Sequence, residues 1–395
     1  MSLQHAFFRA YQAVFGLGTR FLPWRKPECI LGEGSLAQLP ELLAKNGARK
    51  PLIVASRRQS ADPAFVEMAG HLPAYVIFSE VTPNPQVKTV EKIAALYRAE
   101  GCDSFVAIGG GSPMDAAKAA AARVVRPNKT VAQLGGLLKV LRKIPLFVAV
   151  PTTAGTGSET TIAAVVTDDD HHKYAVNDLC LIPRYAILDP QLTVSLPPAI
   201  TAQTGMDALT HAVEAYVGKF YNTAETRRFA EEAVVDIFRY LEIAYADGGN
   251  MEARQKLLMA SFKAGVAFTR ASVGNVHAIA HTLGGLYDVP HGLANAVLLP
   301  VILQDYGTAV YPQLARLAEL VGISGDTQPQ RAEGFIRAIF AMNERMGIPT
   351  GFDGIREADL PRMAAWAAAE ANPTYPVPVI YDEARFIRII RKVMR

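Results

Sequence analysis

Two stretches of this chain concentrate residues able to do chemistry: Thr204-Gly205-Met206-Asp207-Ala208-Leu209-Thr210-His211, and Gly274-Asn275-Val276-His277-Ala278-Ile279-Ala280-His281 running on to Pro290-His291-Gly292. Asp207 and His211 stand four residues apart in a helix-favouring run, which sets a carboxylate oxygen and an imidazole one turn apart on one face. His277 and His281 repeat that spacing, and the Leu-Gly-Gly-Leu-Tyr-Asp-Val-Pro break after them can fold the chain back to bring the His291 ring alongside. One histidine pair at helical spacing is usually an accident of a surface or a core, and Asp207 alone reads equally well as a helix cap or an ion-pair partner. The combination reads as a mononuclear metal site: a carboxylate with several imidazoles, no cysteine nearby, and small flanking residues that let helices approach. An all N/O donor set suits Fe(II), Zn, Co or Mn, whereas thiolates would favour zinc or copper(I). Three histidines and one carboxylate leave coordination positions open, which catalysis needs and a structural site lacks.

The elements that must position these side chains fall into two kinds. Pro51-Leu52-Ile53-Val54-Ala55, Ser104-Phe105-Val106-Ala107-Ile108 and Leu146-Phe147-Val148-Ala149-Val150 read as short buried parallel strands, each ending in a polar or glycine-rich turn. Residues 87–100 and 113–123 read as intervening helices, and such alternation implies a doubly wound sheet that binds ligands at the carboxyl ends of its strands. From about Leu196 onward strand signals nearly vanish. Apolar residues then follow a helical period through 227–245, 252–269, 311–321 and 332–346. A chain of 395 residues exceeds what one core usually organises. The expected division is an α/β dinucleotide-binding domain over 1–193, with an N-terminal helical extension over 1–27, and an α-helical metal-binding and substrate domain over 194–395.

Gly109-Gly110-Gly111-Ser112-Pro113 follows the second of these strands and reads as a phosphate loop. Its glycines let backbone N–H groups approach a pyrophosphate, and Pro113 suits the first turn of a helix whose positive end faces the anion. It is not the Gly-x-Gly-x-x-Gly fingerprint, and a glycine-rich turn after a strand is often purely structural. A second polar turn, Thr152-Thr153-Ala154-Gly155-Thr156-Gly157-Ser158, also follows a strand and offers hydroxyls and amides. Two such loops at strand ends favour a dinucleotide.

The stretches 207–216 and 274–292 resemble the two metal signatures of the iron-containing (group III) alcohol dehydrogenases. Further similarity runs from Ile30-Leu31-Gly32-Glu33-Gly34 through Pro83-Asn84-Pro85, the triple-glycine loop and Pro151-Thr152-Thr153-Ala154-Gly155-Thr156-Gly157-Ser158-Glu159 to the C-terminal helices. The resemblance implies a Rossmann-like doubly wound domain followed by an all-α domain, the architecture also called dehydroquinate synthase-like. It makes Asp207, His211, His277 and His291 the ligands of Fe(II), or of Zn, Co or Mn, and leaves His281 a nearby non-ligand. It places NAD or NADP on Gly110, Gly111, Ser112, Asp115, Thr152 and Thr153, with Asn84, Thr161, Val165 and Lys173 along its remaining length. Where many family members carry an aspartate that accepts from the adenosine ribose, this chain has Ser56, followed by Arg57 and Arg58. Losing that carboxylate removes a repulsion and adds guanidiniums, so NADP is the expected cofactor, with dual use next; the bland alternative is two solvated arginines.

The implied chemistry is hydride transfer between a small primary alcohol or diol and nicotinamide. The metal acts as a Lewis acid on the substrate oxygen, and His281 either relays the alcohol proton or merely packs beside the site. Ala163, Phe268 and Asn372-Pro373-Thr374-Tyr375 are candidate pocket residues, mostly apolar and weakly discriminating among short alcohols. Two other readings share the scaffold: a zinc polyol (glycerol-type) dehydrogenase or an NAD-using cyclase, and a non-catalytic protein on a dehydrogenase frame. The Asp-x-x-x-His and His-x-x-x-His spacing favours the iron group.

Composition narrows the partners. Half the residues are hydrophobic, and a net charge of +3 comes from dispersed charges with no basic block of the kind nucleic acid requires. Three scattered cysteines, Cys29, Cys102 and Cys180, fit reduced thiols in a cytoplasm. No charge-free apolar run reaches the length of a membrane span. Phe7, Phe8, Tyr11, Val14 and Phe15 recur at helical spacing among arginines. That pattern fits an interfacial membrane helix or a helix packed on its own protein or a partner subunit, and its shortness favours packing. An apolar N-terminal face also makes a homo-oligomer, a dimer in the first instance, the expected state.

Overall fold

The computed structural model describes residues 3–169 and 173–395. They form two compact units, one comprising Pro23–Leu196 with Gly249–Phe262, the other comprising the N-terminal segment to Leu22, Pro197–Gly248 and Lys263–Arg395.

The first unit is built on a six-stranded, all-parallel sheet in the order Glu28–Leu31, Tyr185–Leu188, Leu146–Pro151, Ser104–Gly109, Pro51–Val54, Val76–Phe78. The three strands expected from sequence are neighbours within it. Alternation sends their side chains to opposite faces. Leu52, Val54, Phe105, Ala107, Phe147 and Ala149 join one core, with Val90 and Ile93 of helix Val87–Ala99 and the buried alanines of helix Gly111–Val125. Ile53, Val106, Ile108, Val148 and Val150 join the other, with Leu36, Leu39, Phe65 and Met68. A sheet buried on both faces needs apolar residues at every position, which is why these strands read as continuous hydrophobic runs.

The strands Glu28–Leu31, Val76–Phe78 and Tyr185–Leu188 carry too short a signal to stand out in the sequence. A second, three-stranded sheet was also outside the sequence reading: Gly136–Leu137, Lys173–Asn177 and Ala163–Thr167, the last two antiparallel with Thr167 opposite Lys173.

The second unit is helical. Beyond residue 197 the pairing seen among the described residues is one isolated bridge, Phe352 to Met394. Helices Pro198–Val217, Ala224–Ala246, Asn275–Tyr287, His291–Tyr306, Tyr311–Leu320, Gln328–Arg345, Leu360–Ala371 and Glu383–Lys392 make it up, and helix Met251–Ala271 runs into it. Thr223 and Thr327 begin two of these with capping boxes that satisfy the first-turn amides.

The N-terminal segment differs from the division expected at 193. Helix Leu3–Thr19 packs on the helical unit, not on the α/β unit. Gln12 is fully buried and its Nε2 donates to the carbonyls of Tyr375 at 2.7 Å and Pro373 at 3.1 Å. Arg9 donates to the carbonyls of Val377 and Pro378 at 2.7 and 2.9 Å, and Phe15 lies 5.4 Å from the Tyr221 ring. Helix periodicity alone reports an apolar stripe; here the packed face is the one bearing Arg9 and Gln12, because they satisfy backbone carbonyls of an irregular segment.

Candidate metal centre

Helix Pro198–Val217 carries Asp207 and His211, helix Asn275–Tyr287 carries His277 and His281, and helix His291–Tyr306 begins with His291. The break between the last two is closed by Asp288 in the left-handed region, φ 51°, as a C-cap. Gly292 then allows contact: a Cβ there would lie 2.5 Å from the carbonyl oxygen of Gln203, so only glycine lets the helix bearing His291 approach the helix bearing Asp207.

One ligand atom from each of Asp207, His211, His277 and His291 falls within 4.8 Å of the others. Asp207, His211 and His277 are buried and His291 partly so. Asn295 makes the character of the cluster plain. Its Nδ2 lies 2.6 Å from Asp207 Oδ1, 3.1 Å from His277 Nε2 and 3.2 Å from His291 Nε2. An amide nitrogen has two hydrogens and cannot serve three acceptors at once. With both imidazole nitrogens unprotonated, three acceptors face two amide hydrogens, an arrangement that a cation among them would relieve. The donors are nitrogen and oxygen throughout, as a divalent first-row ion accepts.

The rings are held from behind. His277 Nδ1 is 2.6 Å from Glu214 Oε2, and that carboxylate also accepts from the backbone amides of Gly274 and Val276, each at 2.8 Å. Burial pushes the Glu214 carboxyl up, while the backbone amides that donate to it favour the ionised form. Burial and the neighbouring imidazoles hold His277 well below the usual histidine range, the direction that keeps an imidazole lone pair available. His211 stacks on Phe268, with ring centroids 4.1 Å apart.

His281 stands outside the four-atom cluster. It stacks on His291 at 5.2 Å, and its Nδ1 lies 2.6 Å from Glu370 Oε1, which also accepts from the Tyr375 hydroxyl at 2.6 Å. Glu214, Glu370 and Asn295 were not found by sequence reading. Glu214 follows His211 by three and Asn295 follows His291 by four, so helical spacing held a signal for both. Glu370 lies 89 residues from His281 and had none.

In the α/β unit the triple-glycine loop joins strand Ser104–Gly109 to helix Gly111–Val125, whose N-cap is Gly110. Gly109 has φ +149°, and a Cβ on it would meet the Pro113 ring at 2.6 Å. A pocket at these strand ends is lined by Gly110, Thr152 and Thr153, and by Arg58, Gln59 and Ser195. Arg58 Nη2 donates to the Ser195 carbonyl at 2.8 Å and lies 3.1 Å from its hydroxyl. Arg57 points elsewhere, exposed, 3.8 Å from Glu80. Ser56 caps the short helix Arg57–Ser60, its Oγ accepting from Gln59 N at 3.4 Å, and is not among the lining residues.

The other expected cofactor residues are dispersed. Gly111 and Ser112 start the helix, Asn84 sits in a turn with φ 55°, and Val165 and Lys173 lie on the small sheet. Asp115 and Thr161 belong to a buried cluster around Lys118. Ser158 Oγ donates to Asp115 at 2.9 Å. Lys118 Nζ donates to Thr161 Oγ1 and to the carbonyls of Thr161 and Ala163 at 2.9, 2.9 and 3.1 Å. Burial pushes the Asp115 carboxyl up and the Lys118 amine down, each opposed by the charge of the other.

Comparison with known proteins agrees with this geometry. The family profile of the iron-containing alcohol dehydrogenases matches residues 27–190, and that of the C-terminal part of the Fe-containing alcohol dehydrogenase family matches 201–394. The chain belongs to the iron-containing alcohol dehydrogenase family. It is 36% identical to an NAD-dependent methanol dehydrogenase of Bacillus methanolicus over 93% of this chain and 98% of that one. It is 36% identical to an NADPH-dependent butanol dehydrogenase of Clostridium saccharobutylicum over 81% of this chain and 82% of that one. The crystal structure of a 1,3-propanediol oxidoreductase superposes with a TM-score of 0.89 at 35% identity, covering 94% of this chain and all of that one.

Proposed function

We propose that this chain interconverts a small primary alcohol or diol and its aldehyde with NADP, and that Asp207, His211, His277 and His291 hold the divalent cation, iron foremost. The convergence of four N/O ligand atoms within 4.8 Å carries the reading. The helical unit then provides the metal and substrate site, and the α/β unit the dinucleotide site. Bound there, the cation supplies Lewis acidity toward the substrate oxygen, and the nicotinamide supplies the hydride acceptor. The chain's own residues orient and exclude. Asn295 donates to Asp207 and holds its carboxylate in place, Phe268 walls off His211, and His281, backed by Glu370, moves the alcohol proton toward solvent.

NADP is favoured over NAD by Arg58, whose side chain lines the nucleotide pocket two residues beyond Ser56, where the resemblance would place an aspartate. The relatives' names include both cofactors, so this choice rests on the chain's own residues. A cytoplasmic setting fits the three free cysteines, all held in the thiol form by burial, with Cys29 at about 11 and Cys180 at about 12. Among the described residues no helix is long and apolar enough to cross a membrane. A homodimer is supported by the outer face of helix Leu3–Thr19, where exposed Leu3, Phe7, Ala10, Val14 and Leu17 keep the 4-3-4-3 spacing of a helix–helix seam.

Protein purified without chelator is expected to carry about one divalent metal per chain and to change absorbance at 340 nm with butanol or propanediol. Asp207→Ala and His277→Ala lose both metal and turnover with the fold retained. Undiminished metal in both variants, by elemental analysis, overturns the ligand assignment.

A further inference from the structure

We infer that Glu214 is a positioning residue of the metal centre: its carboxylate locks His277 in the Nδ1–H tautomer and thereby turns the Nε2 lone pair toward the ion. The inference rests on the ligand assignment proposed above. The two ends of the His277 ring face opposite chemistries. Nδ1 lies 2.6 Å from Glu214 Oε2, an acceptor, and Nε2 lies 3.1 Å from the Asn295 amide nitrogen, a donor. Only one neutral tautomer suits both neighbours, the one with the proton on Nδ1. An imidazole without such a partner populates both tautomers, and each molecule with the proton on Nε2 has no lone pair to offer on that side.

The carboxylate itself is placed with little freedom. Oε2 accepts from Gly274 N and faces His277 Nδ1, while Oε1 accepts from Val276 N, so each oxygen is already engaged by a backbone amide. A Cβ on Gly274 would sit 2.7 Å from Oε1, so a side chain at this position would push the carboxylate from its present place. Glu214 also shares a helix face with two ligands, three residues beyond His211 and seven beyond Asp207 on helix Pro198–Val217. One side chain thus ties the helix that bears Asp207 and His211 to the first turn of the helix that bears His277. Capping that turn would need only the two amides. The contact with the ring is additional, and it is the one that acts on the ion.

Glu214→Gln separates the roles because a carboxamide brings two hydrogens to a place where both carboxylate oxygens accept from backbone amides. With its NH2 toward His277, it donates to Nδ1 and moves the ring proton to Nε2. With its NH2 turned away, it opposes the Val276 amide. The test uses metal-free full-length protein, labelled at histidine, with two-bond proton–nitrogen correlations identifying the tautomer and His277→Ala assigning the signal. Co(II) affinity is measured by competition with a chromophoric chelator.

The expected result is Nδ1–H at His277 in the unmodified protein, loss of that single tautomer in Glu214→Gln, and Co(II) binding about 10–100-fold weaker in that variant. Asp207→Ala serves as the reference for the centre itself. Wild-type Co(II) affinity in Glu214→Gln, with binding lost in Asp207→Ala, overturns the role of Glu214 and leaves the metal centre standing. Retained Co(II) binding in Asp207→Ala overturns both. Should Glu214→Gln fail to fold, the unmodified protein decides alone, since a proton on Nε2 of metal-free His277 refutes the lock.

Discussion

Gly292→Ala tests whether the close approach of two helices is what makes the metal centre. A Cβ at this position would lie 2.5 Å from the Gln203 carbonyl oxygen, 2.9 Å from its carbon and 3.4 Å from Asp207 Cβ. The obstacle is backbone, which cannot swing aside as a flexible side chain can. An ordinary carbon–oxygen contact is about 3.3–3.6 Å, so the two helices must part by roughly 0.8–1 Å at this point. His291 is the preceding residue on one helix and Asp207 is one turn beyond Gln203 on the other, with Nε2 and Oδ1 now 3.6 Å apart. Metal sites hold their ligand distances to about 0.2 Å, so the displacement is several times what the site tolerates. The expected cost is about 1–3 kcal/mol of overpacking strain. Co(II) affinity falls about tenfold or more, as when an orienting contact is lost. Gly18→Ala is the matched control, since a Cβ there meets nothing within 4 Å. In that exposed helix the change stabilises by up to about 1 kcal/mol. Thermal unfolding with and without metal, and chelator competition, read both. A Gly292→Ala protein with unchanged midpoint and unchanged Co(II) affinity would show that the helices yield freely and that the argument from close approach is wrong.

In steady-state kinetics kcat/KM is expected to be higher with NADPH than with NADH, and Ser56→Asp shifts the ratio toward NAD by a factor on the order of ten, about 1.4 kcal/mol. A tenfold preference of the unmodified protein for NADH counts against the role given to Arg58. The N-terminal helix is expected to stay with the protein rather than with lipid. Co-sedimentation with anionic liposomes should be absent, and strong binding abolished by deleting residues 1–22 would reverse that. Glu159 gives a pH signature. Burial holds its carboxyl at about 7 against the usual 4.5, with Oε2 lacking a partner. The folded chain therefore retains a proton that the unfolded chain releases, and stability is lost as pH rises from 4.5 through 7. Glu159→Gln removes that loss, at most roughly 3 kcal/mol. Its thermal midpoint should gain on the unmodified protein between about pH 5 and pH 8, and a constant difference across that range excludes the effect.

The local periodicities were legible from the chain because they are local physics. Three central strands and the principal helices of both halves follow from apolar runs and a 3.6-residue period. Asp207 with His211 and His277 with His281 follow from i,i+4 spacing on helices that do form. Proposals for the metal's chemistry likewise needed only residue types. Three things required the fold. Which of His277, His281 and His291 share a centre depends on the turn after Tyr287 and on Gly292, and spacing alone could not separate His281 from the rest. The residues behind the ligands were decided by contacts across the chain: Glu214 meets His277 over 63 residues and Glu370 meets His281 over 89. The N-terminal stripe was readable as amphipathic, but the face it buries was settled by carbonyls of residues 373–378, which no periodicity reports. A sequence specifies short-range geometry through backbone preference and side-chain direction. The pairing of distant polar groups is specified only once burial removes water and each remaining donor must find an acceptor.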